Sequence, residues 1–188
     1  MAEILDSIVC YLHHCKEIYA LEPIPAVFNS FRKSIEANNY KNVTLQNIAI
    51  GNKKEVKSFN FASDNAVASS FVEIKDKRTS SIKVSIDVLQ NVLPENIKFD
   101  VVKMDVEGHE AVIILGNKEI FQKNRPLFFM EFSPSSIKAE GTHDPKELVG
   151  FFLENNYKIY SQNLNKSFYE NSPELYQNDN WILRPKKQ

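Results

Sequence analysis

One stretch limits the fold of this chain more than any other: Phe99-Asp-Val-Val-Lys-Met-Asp-Val-Glu-Gly-His-Glu110. Val101, Val102, Met104 and Val106 give it the β-branched and apolar density of a buried strand. Extended geometry sets Lys103, Asp105 and Glu107 on one side and Val102, Met104 and Val106 on the other. Gly108 breaks the strand, and Glu110 to Leu115 reads as a helix that starts at once and ends at Gly116-Asn117. Open α/β sheets hold their ligands at the carboxyl ends of interior strands, and Asp105, Glu107 and His109 crowd such an end. A single acid beside a helix start would only complement the positive pole. Three chemically active side chains together point to a site.

The rest of the chain is compatible with one domain spanning 1–188. That length gives room for a substantial core. A net charge of −1 offers no basic surplus for nucleic acid or an anionic membrane. No apolar run approaches the roughly 20 residues of a membrane span. Nothing at the N-terminus resembles a secretory leader, so a cytoplasmic protein is expected. Cys10 and Cys15, the only cysteines, form neither a disulfide framework nor a four-ligand zinc pattern and read as reduced thiols.

In chain order, Ile4, Leu5, Ile8, Val9, Leu12 and Cys15 recur at helical spacing, so 1–15 is read as a helix ending at His13 and His14. Glu17 to Glu22 is a short strand stopped by Pro23 and Pro25, and Pro25 opens the next helix. Glu22 occupies a strand exit, where nucleotide-binding α/β domains place a carboxylate for ribose hydroxyls. Asn42 to Ile50 reads as one strand, and Gly51-Asn52-Lys53-Lys54 as the turn of a hairpin with Glu55 to Phe61. Asp64 to Ser70 reads as a loop, Ser81 to Ile86 as a strand delivering Asp87, and Val88 to Leu93 as a short helix. Pro126 to Phe132 is a second buried strand, carrying Glu131 near its carboxyl end. Asp144-Pro145 starts a helix, and Tyr157–Tyr160 and Asn180–Arg184 are closing strands, the last one antiparallel and at an edge. Alternating strands and helices with acids at strand exits give a doubly wound α/β fold, with Glu22, Asp105 and Glu131 converging on one rim.

Leu21-Glu-Pro-x-Pro-x-x-Phe28, Asn47-x-Ala-x-Gly51, Ser69-Ser70, Asp87, Lys103-Met-Asp-Val-Glu-Gly-His-Glu110 and Glu131 resemble, in order and spacing, the FkbM-type methyltransferases. The resemblance covers 17–134, and 135–188 adds a C-terminal helix and closing strands. It implies a mostly parallel sheet of class I methyltransferase type with an inserted β-hairpin. It also implies S-adenosylmethionine as cofactor and transfer of a methyl group to an oxygen of a sugar or other small-molecule hydroxyl acceptor. On that likeness Glu22 holds the cofactor ribose, Asn47 and Ala49 lie near adenine, and Asp105 lies near the sulfonium and the acceptor. By their chemistry His109 or Asp105 is the candidate base, His109 having the better-suited imidazole, with a turn residue bonded to the backbone as the equal alternative for His109; Glu107 binds the acceptor or orients His109, and Glu131 binds the acceptor or pairs with Lys103. Asp-x-Glu-x-His could by ligand type hold a divalent cation; the resemblance calls for no metal, and none is expected.

One departure stands out. The family opens with a strand ending in Asp-x-Gly-Ala-Asn-x-Gly, and none of the five glycines here precedes Glu22. The first strand and its cofactor cradle are therefore expected to be missing, with 1–15 matching the helix after that loop. A fragment, a decayed family member without catalysis acting as a binding module, and a chain that borrows a strand from a partner are the three readings this leaves.

Overall fold

The computed structural model describes residues 14–62, 65–70 and 79–186. The helix expected over 1–15, with Cys10 and His13, thus falls almost wholly outside the described residues.

Strand β1 (Ile18–Leu21) leads into helix α1 (Pro25–Ala37), whose first turn holds the proline that the missing N–H and fixed φ suit. Helix α1 returns the chain to β2 (Val43–Gln46), parallel to β1. The single strand expected over Asn42 to Ile50 is in fact two. Gln46 Nε2 donates to the Val92 carbonyl at 3.0 Å, and Asn47 Nδ2 donates to the carbonyls of Glu22 and Pro23 at 2.8 and 3.0 Å. These bonds pin the chain beside the exit of β1, and β3 (Ala49–Ile50) then joins a different sheet.

That second sheet comprises β3, β4 (Glu55–Ala62), β5 (Asn65–Ser70) and β6 (Thr79–Asp87), in the order β3-β6-β4-β5. The Gly51 to Lys54 turn therefore closes no hairpin, since β6 lies between β3 and β4 and pairs with both. Residues expected as a loop before Ser70 form β5, which pairs with β4. Ala49, Phe59, Val84 and Ile86 make a small core of their own here. Helix α2 (Leu89–Val92) follows Asp87, as the sequence suggests.

The larger sheet is built by β7 (Val101–Met104), helices α3 (Glu110–Gly116) and α4 (Lys118–Asn124), β8 (Leu127–Phe132), helices α5 (Pro134–Glu140) and α6 (Pro145–Glu154), and strands β9 (Tyr157–Ser161), β10 (Lys166–Phe168) and β11 (Asp179–Pro185). Its order is β10-β9-β11-β8-β7, and only β7 and β8 run parallel. Among the described residues the mostly parallel sheet is thus corrected to three hydrogen-bonded sheets, each with at most one parallel pair. The last strand is antiparallel, as expected, yet it lies inside the sheet between β8 and β9 rather than at an edge. Helix α6 begins with a full capping box: Asp144 accepts from the Lys146 N–H and Glu147 accepts from the Asp144 N–H.

Burial along the large sheet alternates with period two. Phe128, Met130 and Phe132 on β8 and Trp181 and Leu183 on β11 are almost fully buried. Phe129, Glu131, Asn180 and Ile182, which point the other way, are not. The buried face packs against α3 and α6 through Ile114, Leu148 and Phe152, with Phe132 and Trp181 stacked at 3.8 Å. Such a pair is worth about 1 kcal/mol beyond its burial.

Two buried side chains fasten the small sheet to this core. Asn117 Oδ1 accepts from the Leu89 N–H at 2.8 Å, while its Nδ2 donates to the carbonyls of Gly51 and Ile113. His109 Nε2 meets the Ile50 carbonyl at 3.1 Å.

Candidate functional site

Strand β7 stops at Met104, so Asp105 leaves the sheet at its carboxyl end, beside Glu131 of the parallel neighbour β8. The next residues turn sharply: Glu107 has φ 52° and Gly108 φ 103°. Few L-residues adopt the first value and essentially only glycine the second. A Cβ on Gly108 would also stand 2.5 Å from Ser136 Cβ and 2.7 Å from its carbonyl carbon, so the loop lies directly on α5. Glu110, at the start of α3, bends back so that Oε1 accepts the Gly108 N–H at 3.1 Å. The glycine, the buried acid and α5 together fold the loop so that Glu107 comes back to Asp105, although it no longer shares a strand with it.

Asp105, Glu107 and Glu131 each bring a carboxylate oxygen within 4.8 Å of the other two. Gathering three acids is electrostatically costly, and the carboxyls respond. Glu131 is pushed up to about 7, first by its hydrogen bond with Asp105, then by burial and by the neighbouring negative charges. Burial and then Asp105 raise Glu107 as well. Glu110 lies entirely inside, and its carboxyl is raised to about 7, chiefly by burial. Lys103 Nζ, 3.4 Å from Asp105, supplies a counter-charge.

A cleft of about 180 Å³ opens beside this pair, between Lys103–Asp105 of β7, Phe129–Glu131 of β8, Gln162, and Asn180–Trp181 of β11. Along that floor the register sets Glu131 opposite Asn180 and Phe129 opposite Ile182. Gln162 and Asn180 went unnoticed in the sequence. Only the pairing of β11 between β8 and β9 brings them to the acids.

The structure separates the expected residues into three groups. Asp105, Glu107 and Glu131 converge. His109 does not join them: it is 6 % exposed, with Nε2 on the Ile50 carbonyl and Nδ1 3.3 Å from Glu140 Oε1. The proton-accepting role expected of it has no open nitrogen to use, and its ring instead links β3, α3 and α5. The cofactor residues other than Asp105 form the third group, away from the cleft lining. Glu22 is raised by burial, and its Oε1 accepts the Ile24 N–H at 2.7 Å. Asn47 spends its amide on the β1 exit, and Ala49 is 6 % exposed in the small core. The pair β1–β2 carries Glu22 on a sheet of its own, unpaired with β7.

The model of the methyltransferase FkbM domain family matches residues 2–159. The chain belongs to the FkbM methyltransferase family. A crystal structure of methyltransferase FkbM from Methylobacillus flagellatus KT superposes with a TM-score of 0.54 at 13 % identity, and the match covers 96 % of this chain but 40 % of that one. This likeness carries the mixed α/β fold, and the chain spans less than half the length of that protein. No curated protein sequence matches. Among the described residues no helix is long and apolar enough to cross a membrane.

The family implies a methyl donor, and the described residues can be tested against one. A cleft of about 180 Å³ is smaller than the roughly 300–1,000 Å³ typical of small-molecule and cofactor sites. It also holds none of Glu22, Asn47 and Ala49, and no glycine turn stands before Glu22. This cleft by itself does not fit a whole nucleoside sulfonium.

Proposed function

We propose that this chain contributes the acceptor side of a methyltransferase acting on a hydroxyl oxygen of a sugar or other small molecule, with S-adenosylmethionine as the family's donor. The observation that carries the reading is the convergence of the Asp105, Glu107 and Glu131 carboxylates beside a cleft at the strand ends. A hydroxyl must give up its proton as its oxygen becomes a nucleophile, and a base that titrates near the working pH serves best. Glu131, raised to about 7, meets that requirement. With Glu131 ionised, a hydroxyl in the cleft donates to it, while Asn180 and Gln162 offer amide donors and acceptors to neighbouring oxygens. Lys103 pairs with Asp105 at 3.4 Å, and Phe129 supplies an apolar floor.

Nuclear magnetic resonance of the side-chain carboxyls tests the pair without knowledge of the acceptor. Glu131 should titrate near 7 and fall toward the ordinary carboxylate range in Asp105→Asn; an ordinary value in the native chain would remove the base. Calorimetry with S-adenosylmethionine tests the donor, and no heat at millimolar concentration would remove the donor assignment for this chain. A second reading, a family member that binds without catalysis, is favoured by the separation of Glu22 from the cleft. It predicts that outcome together with a normally titrating Glu131.

A further inference from the structure

Gln162, Asn163 and Asn165 stand in the turn after β9, and Asn178 and Asn180 at the start of β11. Three of these amides are committed inside the protein. Asn163 Nδ2 donates to the Asn178 carbonyl at 3.0 Å, Asn165 Oδ1 accepts from the Tyr160 hydroxyl, and Asn178 Oδ1 accepts from Ser133 Oγ at 3.4 Å. Among the described residues the side-chain amides of Gln162 and Asn180 bond to nothing, and these are the two that line the cleft. Their backbones are nevertheless fixed. The Gln162 N–H donates to the Asn180 carbonyl at 3.0 Å. Asp179, only 7 % exposed, accepts the Ser161 hydroxyl on Oδ2 and the Asn163 N–H on Oδ1 at 3.0 Å, while Ser161 Oγ accepts the Leu164 N–H at 3.0 Å. Burying a carboxylate is costly unless it is hydrogen-bonded; this one directs both oxygens at the residues flanking Gln162 and itself precedes Asn180.

We propose, resting on the reading of Glu131 as the base, that Gln162 and Asn180 select the acceptor. They admit polyols with a second hydroxyl beside the one Glu131 deprotonates, and Asp179 and Ser161 are the positioning residues that hold them. The register sets Asn180 opposite Glu131, and such cross-strand partners have Cβ atoms about 4.5–5.5 Å apart. A carboxylate and an amide at that spacing can meet oxygens on adjoining carbons of one ring. Each amide offers both donors and an acceptor, the two roles a hydroxyl can answer. An alcohol with one hydroxyl would displace water from these amides and leave them unpaired, and sites built around a hydroxyl reject analogues that lack it. Both residues stand beyond residue 159, where the match to the family ends, so the family pattern gives them no role.

Titration of the full chain with cis-cyclohexane-1,2-diol and with cyclohexanol, followed by nuclear magnetic resonance of the side-chain amides and carboxyls, tests this without a methyl donor. The diol should shift the Gln162 and Asn180 amide signals and bind about tenfold more tightly than cyclohexanol, the worth of one or two neutral hydrogen bonds. Replacing both residues by alanine should bring the two affinities together. Asp179→Asn should also erase the preference for the diol while Glu131 still titrates near 7, whereas a merely structural role would disturb both or neither. Fluorescence of Trp181, the single tryptophan, stacked on Phe132, reports whether each variant is folded. Equal affinities in the native chain overturn the proposal, as does a diol preference that survives the double replacement. Absence of any shift with either alcohol overturns it too; in that sample a Glu131 near 7 leaves the base standing, and an ordinary Glu131 removes the reading beneath both.

Discussion

Replacing Gly108 by alanine tests how the acid-bearing loop is held. Two costs add. A side chain at φ 103° is strained by about 1–3 kcal/mol. The new methyl group would also lie within 2.9 Å of three Ser136 atoms, two of them backbone, so α5 must shift, at about 1–3 kcal/mol for an overpacked site. Together they amount to about 4 kcal/mol. With a urea dependence of about 2 kcal/mol per molar, the unfolding midpoint should fall by about 2 M. Gly150 is the internal control: it lies within α6, and its nearest neighbour to an added Cβ is 3.8 Å away. Alanine there should raise stability by about 0.5–1 kcal/mol through helix propensity alone. The reasoning is refuted if Gly108→Ala stays within about 0.5 M of the native midpoint, or if the two substitutions shift it alike.

Asn117→Ala should cost about 3–4 kcal/mol, since it strands the Leu89 N–H and the carbonyls of Gly51 and Ile113 in a buried place. Asn117→Asp should do no better, because its second oxygen faces those carbonyls; urea denaturation of the pair checks both. Glu110, ordinarily near 4.5, is raised to about 7 when folded, so the native state loses stability as pH rises from 4.5 toward 7, by up to roughly 3 kcal/mol. Glu110→Gln keeps the acceptor for Gly108 and should therefore exceed the native chain at pH 8 but not at pH 4, and an equal gap at both pH values would discredit the assignment. Glu140 is lowered: burial is the largest single influence and opposes, but the hydrogen bond and attraction of His109, with Thr142 and Lys57, together outweigh it. Its contribution is present above the ordinary carboxylate value and lost as pH falls through the lower folded one, so Glu140→Gln should flatten the acid limb of a melting-temperature profile.

Local chemistry made much of this legible in advance. Val101 to Met104 and Leu127 to Phe132 declare themselves as strands by composition, and Asp144-Pro145 announces a helix start by its capping chemistry. Asp105 and Glu131 could be placed together because parallel neighbours deliver their carboxyl ends to one rim. What failed was decided by long-range pairing. Nothing between Ser161 and Asp179 says that β11 enters between β8 and β9, so Asn180 and Gln162 could not be foreseen at the acids. Asn47 was named on the family likeness alone, and its tertiary bonds to Glu22 and Pro23 could not be read from the sequence. For His109 the sequence left two readings open, base or backbone-bonded turn residue, and only the helix start that turns its ring inward to Ile50 and Glu140 decides for the second.

The placement of β11 bears on how the molecule is made. A strand synthesised after both of its neighbours must be admitted between them, so the floor of the cleft cannot close while the ribosome still holds that segment. Until then β8 and β9 each present a bare apolar margin, and the nascent domain depends on whatever shields those margins from other chains.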